Sequence, residues 1–232
     1  MRVVSWNCNG ALRKKSHLLD SMDADIFVIQ ECEDPEKIGG AYRDWAFNYL
    51  WCGNNKNRGL GIFARREIDL TALNWPCGEF QLFLPCRVND SFNLLAVWTK
   101  SARNLGYIGQ FWSYLQINKE IIASAPVCIC GDFNSNIIWD KKSRHWNHSD
   151  VVRELEEISI SSLYHRHTKE LQGTEKNPTL FMYRNAQKAY HIDYAFVSSS
   201  LMGLENSIDI GRPEIWLKYS DHMPITFNVM HS

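Results

Sequence analysis

The sequence lacks any long hydrophobic run. In its 232 residues the longest unbroken apolar stretch is Leu94 to Trp98, whereas a membrane span needs about 18 apolar residues. The first seven residues contain one basic side chain and reach polar positions almost at once, so no signal peptide is predicted. The composition, 45% hydrophobic and 22% charged, is ordinary for a globular protein and excludes intrinsic disorder. The sequence therefore predicts a soluble, cytoplasmic protein that does not enter a membrane.

An excess of charge of either sign is also missing. The chain has 25 basic and 26 acidic residues and a formal net charge of −1. A domain that coats nucleic acid nonspecifically is normally basic overall, so this balance disfavours such a role. It is compatible with an enzyme that has a local basic rim around an acidic cleft. Charge alone therefore leaves the substrate open.

Cysteine pairs with metal-binding spacing are absent as well. None of the seven cysteines forms a C-x-x-C pair, so no zinc site is indicated. Cys128 and Cys130 lie one residue apart in an apolar run, where alternate residues of a strand face the same side, and this disfavours a bridge between them. We expect buried free thiols in a reducing compartment.

No internal repeat, low-complexity segment or linker divides the chain, so residues 1–232 are predicted to form a single domain. Short runs rich in β-branched and aromatic residues predict strands. These runs are Arg2–Trp6, Ile26–Gln30, Leu60–Ala64, Phe92–Trp98, Val127–Cys130, Ile192–Val197 and Pro224–Val229. Helical spacing of apolar residues predicts one helix over Ile108–Ile122 and a second that begins at Ser149 as its N-cap. Polar loops are predicted at residues 53–58, 141–148 and 165–177.

Chemically competent residues lie at the ends of the predicted strands, either just after a strand or at its start. They are Asn7, Glu31, Asp132, Asn134, Asp193 and His222. Ends of neighbouring strands meet at one edge of a sheet, which brings residues that are distant in sequence together. Carboxylates and amides suit a hard divalent cation, most simply Mg²⁺, and a histidine beside carboxylates suits proton transfer or oxyanion stabilisation. Phosphate-binding loops, dinucleotide motifs and nucleophile elbows are absent, so a metal-assisted reaction at phosphorus is predicted.

Five motifs carry a family resemblance. They are Ser5-Trp6-Asn7-Cys8-Asn9-Gly10, Gln30-Glu31, Gly131-Asp132-Phe133-Asn134, His191-Ile192-Asp193-Tyr194 and Ser220-Asp221-His222-Met223-Pro224. In residue types and order they resemble the successive motifs of the endonuclease/exonuclease/phosphatase superfamily, and they extend over nearly the whole chain. The resemblance implies an α/β fold, a four-layer α/β sandwich in which two β-sheets pack face to face with helices on both outer faces. It also implies Mg²⁺ as cofactor, with Mn²⁺ as a substitute.

The resemblance implies a role for each residue of the metal site. Glu31 resembles the principal metal-binding carboxylate, and Asn7 the asparagine that helps to hold the metal and phosphate. Asp221 resembles a further carboxylate of the metal region. Asn9 stands where some relatives carry aspartate, so we expect it to contact substrate and to bind metal less well than aspartate would.

The resemblance also assigns the catalytic steps. Asp132 would align and activate the attacking water, and Asn134 would hydrogen-bond the scissile phosphate. His222 would stabilise the charge that develops on phosphorus or act as base, with Asp193 fixing its orientation. Many relatives place a histidine after the strand that ends at Trp98, and this chain has none there. Tyr107 follows shortly afterwards and is assigned a phosphate or leaving-group role, with packing as an equal alternative.

One loop carries the expectation that the substrate is a nucleic acid. Lys141, Lys142 and Arg144 combine positive charge with Trp146, an arrangement typical of a loop that holds a phosphate backbone and stacks on a base. A solvated basic loop is the competing interpretation. Lys56 and Arg58 form a weaker candidate of the same kind.

The remaining histidines have weaker signals. His191 is a candidate substrate contact at the rim of the site, with a plain strand-edge histidine as an equal alternative. The pairs His145/His148 and His165/His167 lack acidic or cysteine partners at metal-ligand spacing, so we expect them in solvated loops.

The sequence thus predicts a monomeric Mg²⁺-dependent phosphodiesterase, a nuclease that acts on DNA or RNA by in-line attack of an activated water. The alternative is the same catalytic centre acting on a small phosphorylated metabolite, nucleotide or lipid headgroup. A binding module without turnover is disfavoured, because each position of the metal-and-water set holds a competent residue.

Overall fold

The protein was analysed as a computed structural model, which describes residues 1–101, 105–203 and 207–230. The strands in these ranges are β1 (Arg2–Asn7), β2 (Ile26–Cys32), β3 (Tyr49–Asn55), β4 (Arg58–Ala64), β5 (Leu70–Ala72), β6 (Phe83–Val88), β7 (Phe92–Trp98), β8 (Val127–Asp132), β9 (Ile160–Ser162), β10 (Leu180–Phe181), β11 (Ala189–Tyr190), β12 (Asp193–Ser198), β13 (Ile208–Ile210) and β14 (Ile225–Asn228). The α-helices are α1 (Ser16–Asp20), α2 (Pro35–Ile38), α3 (Gly40–Trp45), α4 (Ile108–Ala123), α5 (His148–Glu157), α6 (Leu163–Thr168) and α7 (Pro213–Trp216). Short 3-10 helices cover Leu12–Lys14, Ile137–Trp139, Met182–Arg184 and Ser199–Leu201.

The strands form two six-stranded sheets and one small ribbon. The first sheet has the order β13-β14-β1-β2-β4-β3, the second β5-β6-β7-β8-β12-β9, and β10 pairs with β11. Each large sheet has one parallel pair at its centre, β1 with β2 and β7 with β8, flanked by antiparallel strands. The two sheets therefore share one pairing pattern.

Alternation of side chains along the strands builds the layers. In β2, Ile26 and Val28 face the core between the two sheets, whereas Ile29 faces the core on the outer side of the first sheet, which also contains Tyr42 of α3. On the second sheet, Ile129 packs outward with residues of α4 and α5. Helices thus cover both outer faces, which confirms the four-layer α/β sandwich. None of the helices in the described ranges is long and apolar enough to span a membrane.

The cysteines agree with the sequence expectation in most respects. Cys128 and Cys130 both face the core between the sheets, as their spacing predicts. All seven cysteines are free. Cys77 is exposed and Cys52 half-buried, so the expectation of buried thiols is wrong for Cys77 and holds only in part for Cys52.

Several local boundaries differ from the sequence prediction. Helix α4 lies where it was predicted, but α5 begins at His148 instead of after Ser149. The Asp140 carboxylate accepts the backbone N–H groups of His148 and Ser149 at 2.9 and 3.1 Å, so an acceptor from an earlier loop caps this helix. The predicted loop at residues 53–58 contains the end of β3 and the start of β4, and the loop at 165–177 begins inside α6.

The strand order gathers the motif residues at one edge of the sandwich. Strand β1 ends at Asn7, β8 ends at Asp132, and the antiparallel β12 begins at Asp193, directly opposite Asp132. Strand β14 begins at Ile225, three residues after His222. Parallel and antiparallel pairing together thus place these termini side by side.

Candidate active site

Asn7 connects the two sheets at the centre of the site. Its Nδ2 donates to Asp132 Oδ2 at 2.9 Å and lies 3.4 Å from Glu31 Oε1. Asn7 and Asp132 are buried, with 2% and 1% of their surfaces exposed. A buried carboxylate that is held by an amide has a fixed orientation, because both groups lose their alternative partners in water.

Glu31 occupies an irregular position in β2. The register between β2 and β4 shifts between Gln30 and Cys32, and Glu31 has a φ of 64°. A left-handed backbone at a non-glycine residue costs about 1–3 kcal/mol and persists where the surroundings enforce it. The bulge turns the Glu31 side chain toward the site, where Arg58 Nη2 lies 2.5 Å from Glu31 Oε2.

His222 is held by a buried carboxylate. Its Nδ1 lies 3.0 Å from Asp193 Oδ2 and 3.2 Å from Oδ1, while its Nε2 is 4.0 Å from Asp132 Oδ2. The backbone of His222 donates to Ser220 Oγ at 3.0 Å, and Ser220 Oγ in turn donates to the Asn7 carbonyl at 2.7 Å. Ser220 thereby fixes the position of His222 relative to β1.

Thr179 is a buried residue of the site that the sequence did not indicate. Its Oγ1 accepts the backbone N–H groups of Ile192 and Asp193, each at 3.0 Å. Its carbonyl accepts the N–H of Met223 at 2.7 Å. The side chain and the backbone carbonyl of Thr179 therefore connect the segment of Asp193 to the segment of His222.

The charges in this cluster shift the pKa values of its members. Burial acts to lower the pKa of His222, but Asp193 and Asp132 outweigh burial and raise it to about 10. Burial, assisted by Asp193, raises the pKa of Asp132, although His222 and Asn7 oppose this rise. An imidazolium between two carboxylates is suited to stabilising negative charge on a substrate.

The donor set fits a hard divalent cation. Glu31 Oε2 is buried and accepts no directed hydrogen bond from the described residues, although the charge of Arg58 is close. A carboxylate close to an amide side chain provides the oxygen ligands that Mg²⁺ prefers. Asp132, Asp193 and His222 also offer ligand atoms within 4.8 Å of one another, but Asp193 already binds His222. Glu31 and Asn7 are therefore the residues that could hold the metal, with Asp132 next to them.

Asp221 directly precedes His222 and its charge reaches the site. Its backbone carbonyl accepts the Phe181 N–H at 2.8 Å, and its charge contributes to the raised pKa of His222. Its expected place in the metal region stays a prediction. Asn9 is exposed with a φ of 52°, and its backbone N–H donates to Asn7 Oδ1 at 3.0 Å.

Asn134 stands at the mouth of an apolar cavity. Its backbone N–H donates to Asp132 Oδ1 at 2.9 Å, and its Nδ2 donates to the Thr99 carbonyl at 3.1 Å. The cavity has a volume of about 350 Å³, and its lining includes Tyr107, Asn134, Trp139, Arg144, Leu180 and Ile192. Tyr107 is 45% exposed, so part of its side chain is accessible to a molecule in the cavity.

The basic loop is partly folded back on the protein. Lys141 and Lys142 are exposed, but Arg144 donates to the Trp139 carbonyl at 2.8 Å and to Asn147 Oδ1 at 3.1 Å. The Arg144 guanidinium lies 4.7 Å from the centre of the Trp146 ring. Trp146 itself is half-buried, so the ring face expected to stack on a base is covered by Arg144.

The structure corrects the expectations for the other histidines. His191 is 4% exposed, and its Nδ1 binds the Asn177 carbonyl at 2.8 Å, so it is not placed to touch substrate. His148 is fully buried. His165 is 11% exposed at its side chain and pairs with Glu175 at 3.0 Å. The prediction of solvated loops is therefore wrong for His148 and His165, whereas His145 and His167 are exposed.

Comparison with known proteins adds a family match. A model of the endonuclease/exonuclease/phosphatase family matches residues 4–222. No curated protein sequence matches the chain.

Several solved structures share the fold over nearly the full length of both chains. NExo from Neisseria, described as a 3′ phosphatase bound to a product DNA hairpin, has a TM-score of 0.71 at 18% identity and covers 99% of each chain. An AP endonuclease from Archaeoglobus fulgidus has a TM-score of 0.71 at 15% identity, also over 99% of each chain. A truncated TDP2 from Caenorhabditis elegans has a TM-score of 0.69 at 16% identity, covering 99% of this chain and 97% of its own. At these identities the likeness establishes the fold.

Proposed function

The chain belongs to the endonuclease/exonuclease/phosphatase family, and we propose that it is a Mg²⁺-dependent phosphodiesterase that hydrolyses a nucleic acid. The observation that carries this proposal is the connection of Glu31, Asn7 and Asp132 across the two sheets, with His222 at 4.0 Å from Asp132. A carboxylate for a metal, a carboxylate for a water and an imidazolium thus converge on one point. Metal-assisted attack of water on phosphorus needs these three functions.

Each group has a role that its surroundings support. A Mg²⁺ held by Glu31 and Asn7 would supply a Lewis acid that neutralises charge on the phosphoryl oxygens. Asp132 orients the attacking water and accepts its proton, for which a raised pKa is suited. Protonated His222 stabilises the negative charge that develops in the transition state, and Asp193 holds its ring in place. Asn134 binds the phosphate beside the cavity.

The cavity next to Asn134 favours a nucleic acid over a simple phosphate ester. Its lining combines apolar side chains with Tyr107 and Arg144, and such a pocket accommodates a sugar or base while the cation meets a phosphate. NExo, which has the same fold, was solved with a DNA hairpin. The alternative substrate is a small phosphoester, which would use the same catalytic centre but less of this cavity.

The proposal is tested by a substrate panel with Mg²⁺: plasmid, single-stranded DNA, RNA, an abasic duplex, mononucleotides and an inositol phosphate. We expect hydrolysis of a polynucleotide at a higher kcat/KM than of any small ester. Purified Asp132→Asn protein is the control for a contaminating nuclease. Hydrolysis of only the small esters would overturn the nucleic-acid assignment, and hydrolysis of none of the panel would overturn the enzymatic one.

Removal of the metal gives a second test. EDTA should stop turnover, and Mg²⁺ or Mn²⁺ in excess should restore it, because these ions prefer the oxygen ligands of Glu31 and Asn7. Zn²⁺ should restore less activity than Mg²⁺ does. Undiminished activity in excess chelator would contradict the metal-dependent mechanism.

A further inference from the structure

Arg58 and Glu31 form an ion pair at the lip of the site. Arg58 Nη2 lies 2.5 Å from Glu31 Oε2, and the two side chains are 50% and 16% exposed. The other oxygen of Glu31, Oε1, faces Asn7. Arg58 therefore balances the charge of the carboxylate that is best placed to hold a metal.

A competing charge on Glu31 can replace Arg58 without disturbing the surrounding strands. Arg58 is the first residue of β4 and is fixed there by backbone pairing with Asn55, so its side chain is not needed to hold the hairpin. Within the described part of the chain, Glu31 is the one carboxylate within 4.0 Å of Arg58. Because the Arg58 side chain is half exposed, water can hydrate its guanidinium once it leaves Glu31, so a competing charge can separate the pair.

A second cation borders the same carboxylate. Lys100 follows β7 by two residues, and its Nζ lies 3.9 Å from the centre of the Trp98 ring. Burial lowers the pKa of Lys100, the charge of Glu31 raises it, and the charge of Arg58 lowers it further. The three charges are thus close enough to act on one another, which makes this lip of the site locally basic in a protein whose net charge is −1.

We propose that Arg58 is a phosphate-binding residue that Glu31 holds in the metal-free protein, and that a divalent ion on Glu31 releases it toward the substrate. The proposal rests on the proposed function. A divalent ion turns the net charge at Glu31 from negative to positive, so its attraction for Arg58 becomes repulsion. The freed guanidinium then meets a substrate phosphate, for which its planar, bidentate donors are suited.

This exchange couples metal binding to nucleic-acid binding. While Arg58 is on Glu31 it competes with the metal, and once it is released it adds a contact to the substrate. Linkage requires that the metal raise the affinity for nucleic acid by the same factor as nucleic acid raises the affinity for metal. Without Arg58 the metal should bind more tightly and this coupling should shrink.

Two variants and one matched control test the exchange. Arg58→Met keeps the apolar stem and removes the charge, whereas Arg58→Lys keeps the charge without the planar donors. Arg43→Met is the control, because Arg43 pairs with a glutamate, Glu36, at 2.8 Å with 41% of its side chain exposed, and α3 lies on the outer side of the first sheet. Circular dichroism melts would verify that all three variants fold.

The first measurement is a calorimetric titration of each protein with Mn²⁺ alone. We expect the dissociation constant of Arg58→Met to fall about two- to five-fold below that of the wild type, the range expected for loss of a partly exposed competing charge. Arg58→Lys and Arg43→Met should stay near the wild type. An unchanged Mn²⁺ affinity in Arg58→Met would contradict the claim that Arg58 competes with the metal for Glu31.

The second measurement is fluorescence anisotropy of a phosphorothioate-linked, labelled single-stranded oligonucleotide, with saturating Mn²⁺ or with EDTA. We expect Mn²⁺ to increase wild-type affinity, and Arg58→Met to reduce that increase about two- to five-fold, because linkage limits the coupling that Arg58 carries to the factor by which its loss tightens Mn²⁺ binding. The salt dependence in Mn²⁺ should fall by about 0.7 of a slope unit. If Mn²⁺ increases the oligonucleotide affinity by the same factor in Arg58→Met and in the wild type, the proposed release of Arg58 toward the substrate is wrong.

Failure of this inference can be distinguished from failure of the proposed function. The function is judged on the wild type, by its turnover of the substrate panel and its binding of the oligonucleotide. The role of Arg58 is judged on the difference between Arg58→Met and the wild type. A wild type that binds no oligonucleotide would overturn the substrate assignment and the release of Arg58 with it, while the Mn²⁺ titration still decides whether Glu31 stores Arg58.

Discussion

His222 and His148 both lie in the interior of the protein, with 6% and 0% of their surfaces exposed. His222 is bound by Asp193 at 3.0 Å and faces Asp132. Both ring nitrogens of His148 are without a hydrogen-bond partner among the described residues, and the ring packs 4.9 Å from that of Tyr194. The two residues therefore differ in their partners and hardly at all in their burial.

Their pKa values move in opposite directions. Burial lowers the pKa of His148 to about 4, because the nearby carboxylates are too weakly coupled to offset the loss of solvent. At His222 burial acts in the same direction, but Asp193 and Asp132 outweigh it and raise the pKa to about 10. At neutral pH the first ring is neutral and the second is charged. The contacting carboxylate, rather than burial, decides the charge of a buried histidine here.

A third histidine, His165, also has a carboxylate partner. His165 Nε2 binds Glu175 at 3.0 Å, and its Nδ1 lies 2.7 Å from Ser162 Oγ. Burial acts to raise the pKa of Glu175, but His165 and the other hydrogen bonds lower it to about 2. Asn136 joins Glu175 to the His191 carbonyl, so this pair holds the segment before Asp193 in place.

The largest expected effect is on turnover, where variants of His222 and His148 should differ. Glu31→Gln should abolish Mg²⁺-dependent turnover, and Asp132→Asn and His222→Ala should each slow it by about 10²–10⁴-fold, the usual size for loss of an acid-base or charge-stabilising group. His148→Leu should change kcat/KM by less than about three-fold, since His148 is not in contact with the cluster. Steady-state rates on the best panel substrate would measure this.

Circular dichroism of each variant would show that the losses are not due to unfolding. Near-normal turnover in purified His222→Ala would refute the assignment of His222. A loss in His148→Leu as large as that in His222→Ala would remove the distinction between the two histidines.

The next largest effect is on the pH dependence of the free energy of unfolding. Because the pKa of His148 is lowered from 6.5 to about 4 on folding, the unfolded chain binds an extra proton between these values. Stability should therefore fall as the pH drops from 6.5 to 4, by up to about 1.4 kcal/mol per pH unit. For His222 the sign is reversed: its contribution is full below pH 6.5 and is lost as the pH rises toward about 10.

Urea unfolding in EDTA at several pH values would measure both slopes. His148→Leu should have a shallower acid slope than the wild type and equal or greater stability, because a buried unpaired ring is replaced by an apolar side chain. Identical acid slopes in the two proteins would show that His148 titrates normally. His222→Ala should lose the alkaline decline while being less stable at neutral pH, since Asp193 is left unpaired.

The smallest expected effect concerns the basic loop rather than the buried cluster. Replacing Lys141, Lys142 and Arg144 by Ala should weaken polynucleotide binding and lower its salt dependence by about 0.7 slope units per lost phosphate contact on single strands and about 0.9 on duplex DNA. The rate at saturating substrate should change little, because these residues lie outside the metal centre. Filter binding at several salt concentrations would measure the slope.

Lys169→Ala with Lys176→Ala is the matched control, since both lysines are exposed on another loop. The Lys141→Ala/Lys142→Ala pair separates the two free cations from Arg144, which is bound to Trp139 and Asn147. If the triple variant behaves like the wild type on both a polynucleotide and a small phosphodiester, the loop is ordinary solvated surface.

The strand pattern of the sequence was sufficient to place several candidate residues at strand ends. Asn7, Asp132 and Asp193 adjoin apolar runs whose lengths and β-branched composition identify them as strands, and the structure brings these residues to one edge of the sandwich. The two-residue alternation also predicted the common face of Cys128 and Cys130. Local periodicity carries this information because side-chain direction in a strand repeats every two residues whatever the strand pairs with.

Other features depend on which distant segments meet, and only the tertiary structure decided them. The ion pair of Arg58 with Glu31 follows from the register of β4 on β2 and the bulge between them. Thr179 bridges two segments that are separated from each other by almost thirty residues. The ring of His148 packs against the ring of Tyr194, which lies on a distant strand. Sequence sets what each residue can bond to, but register and packing select the partner. At His222 the contacting carboxylates set the charge, whereas at His148 burial set it.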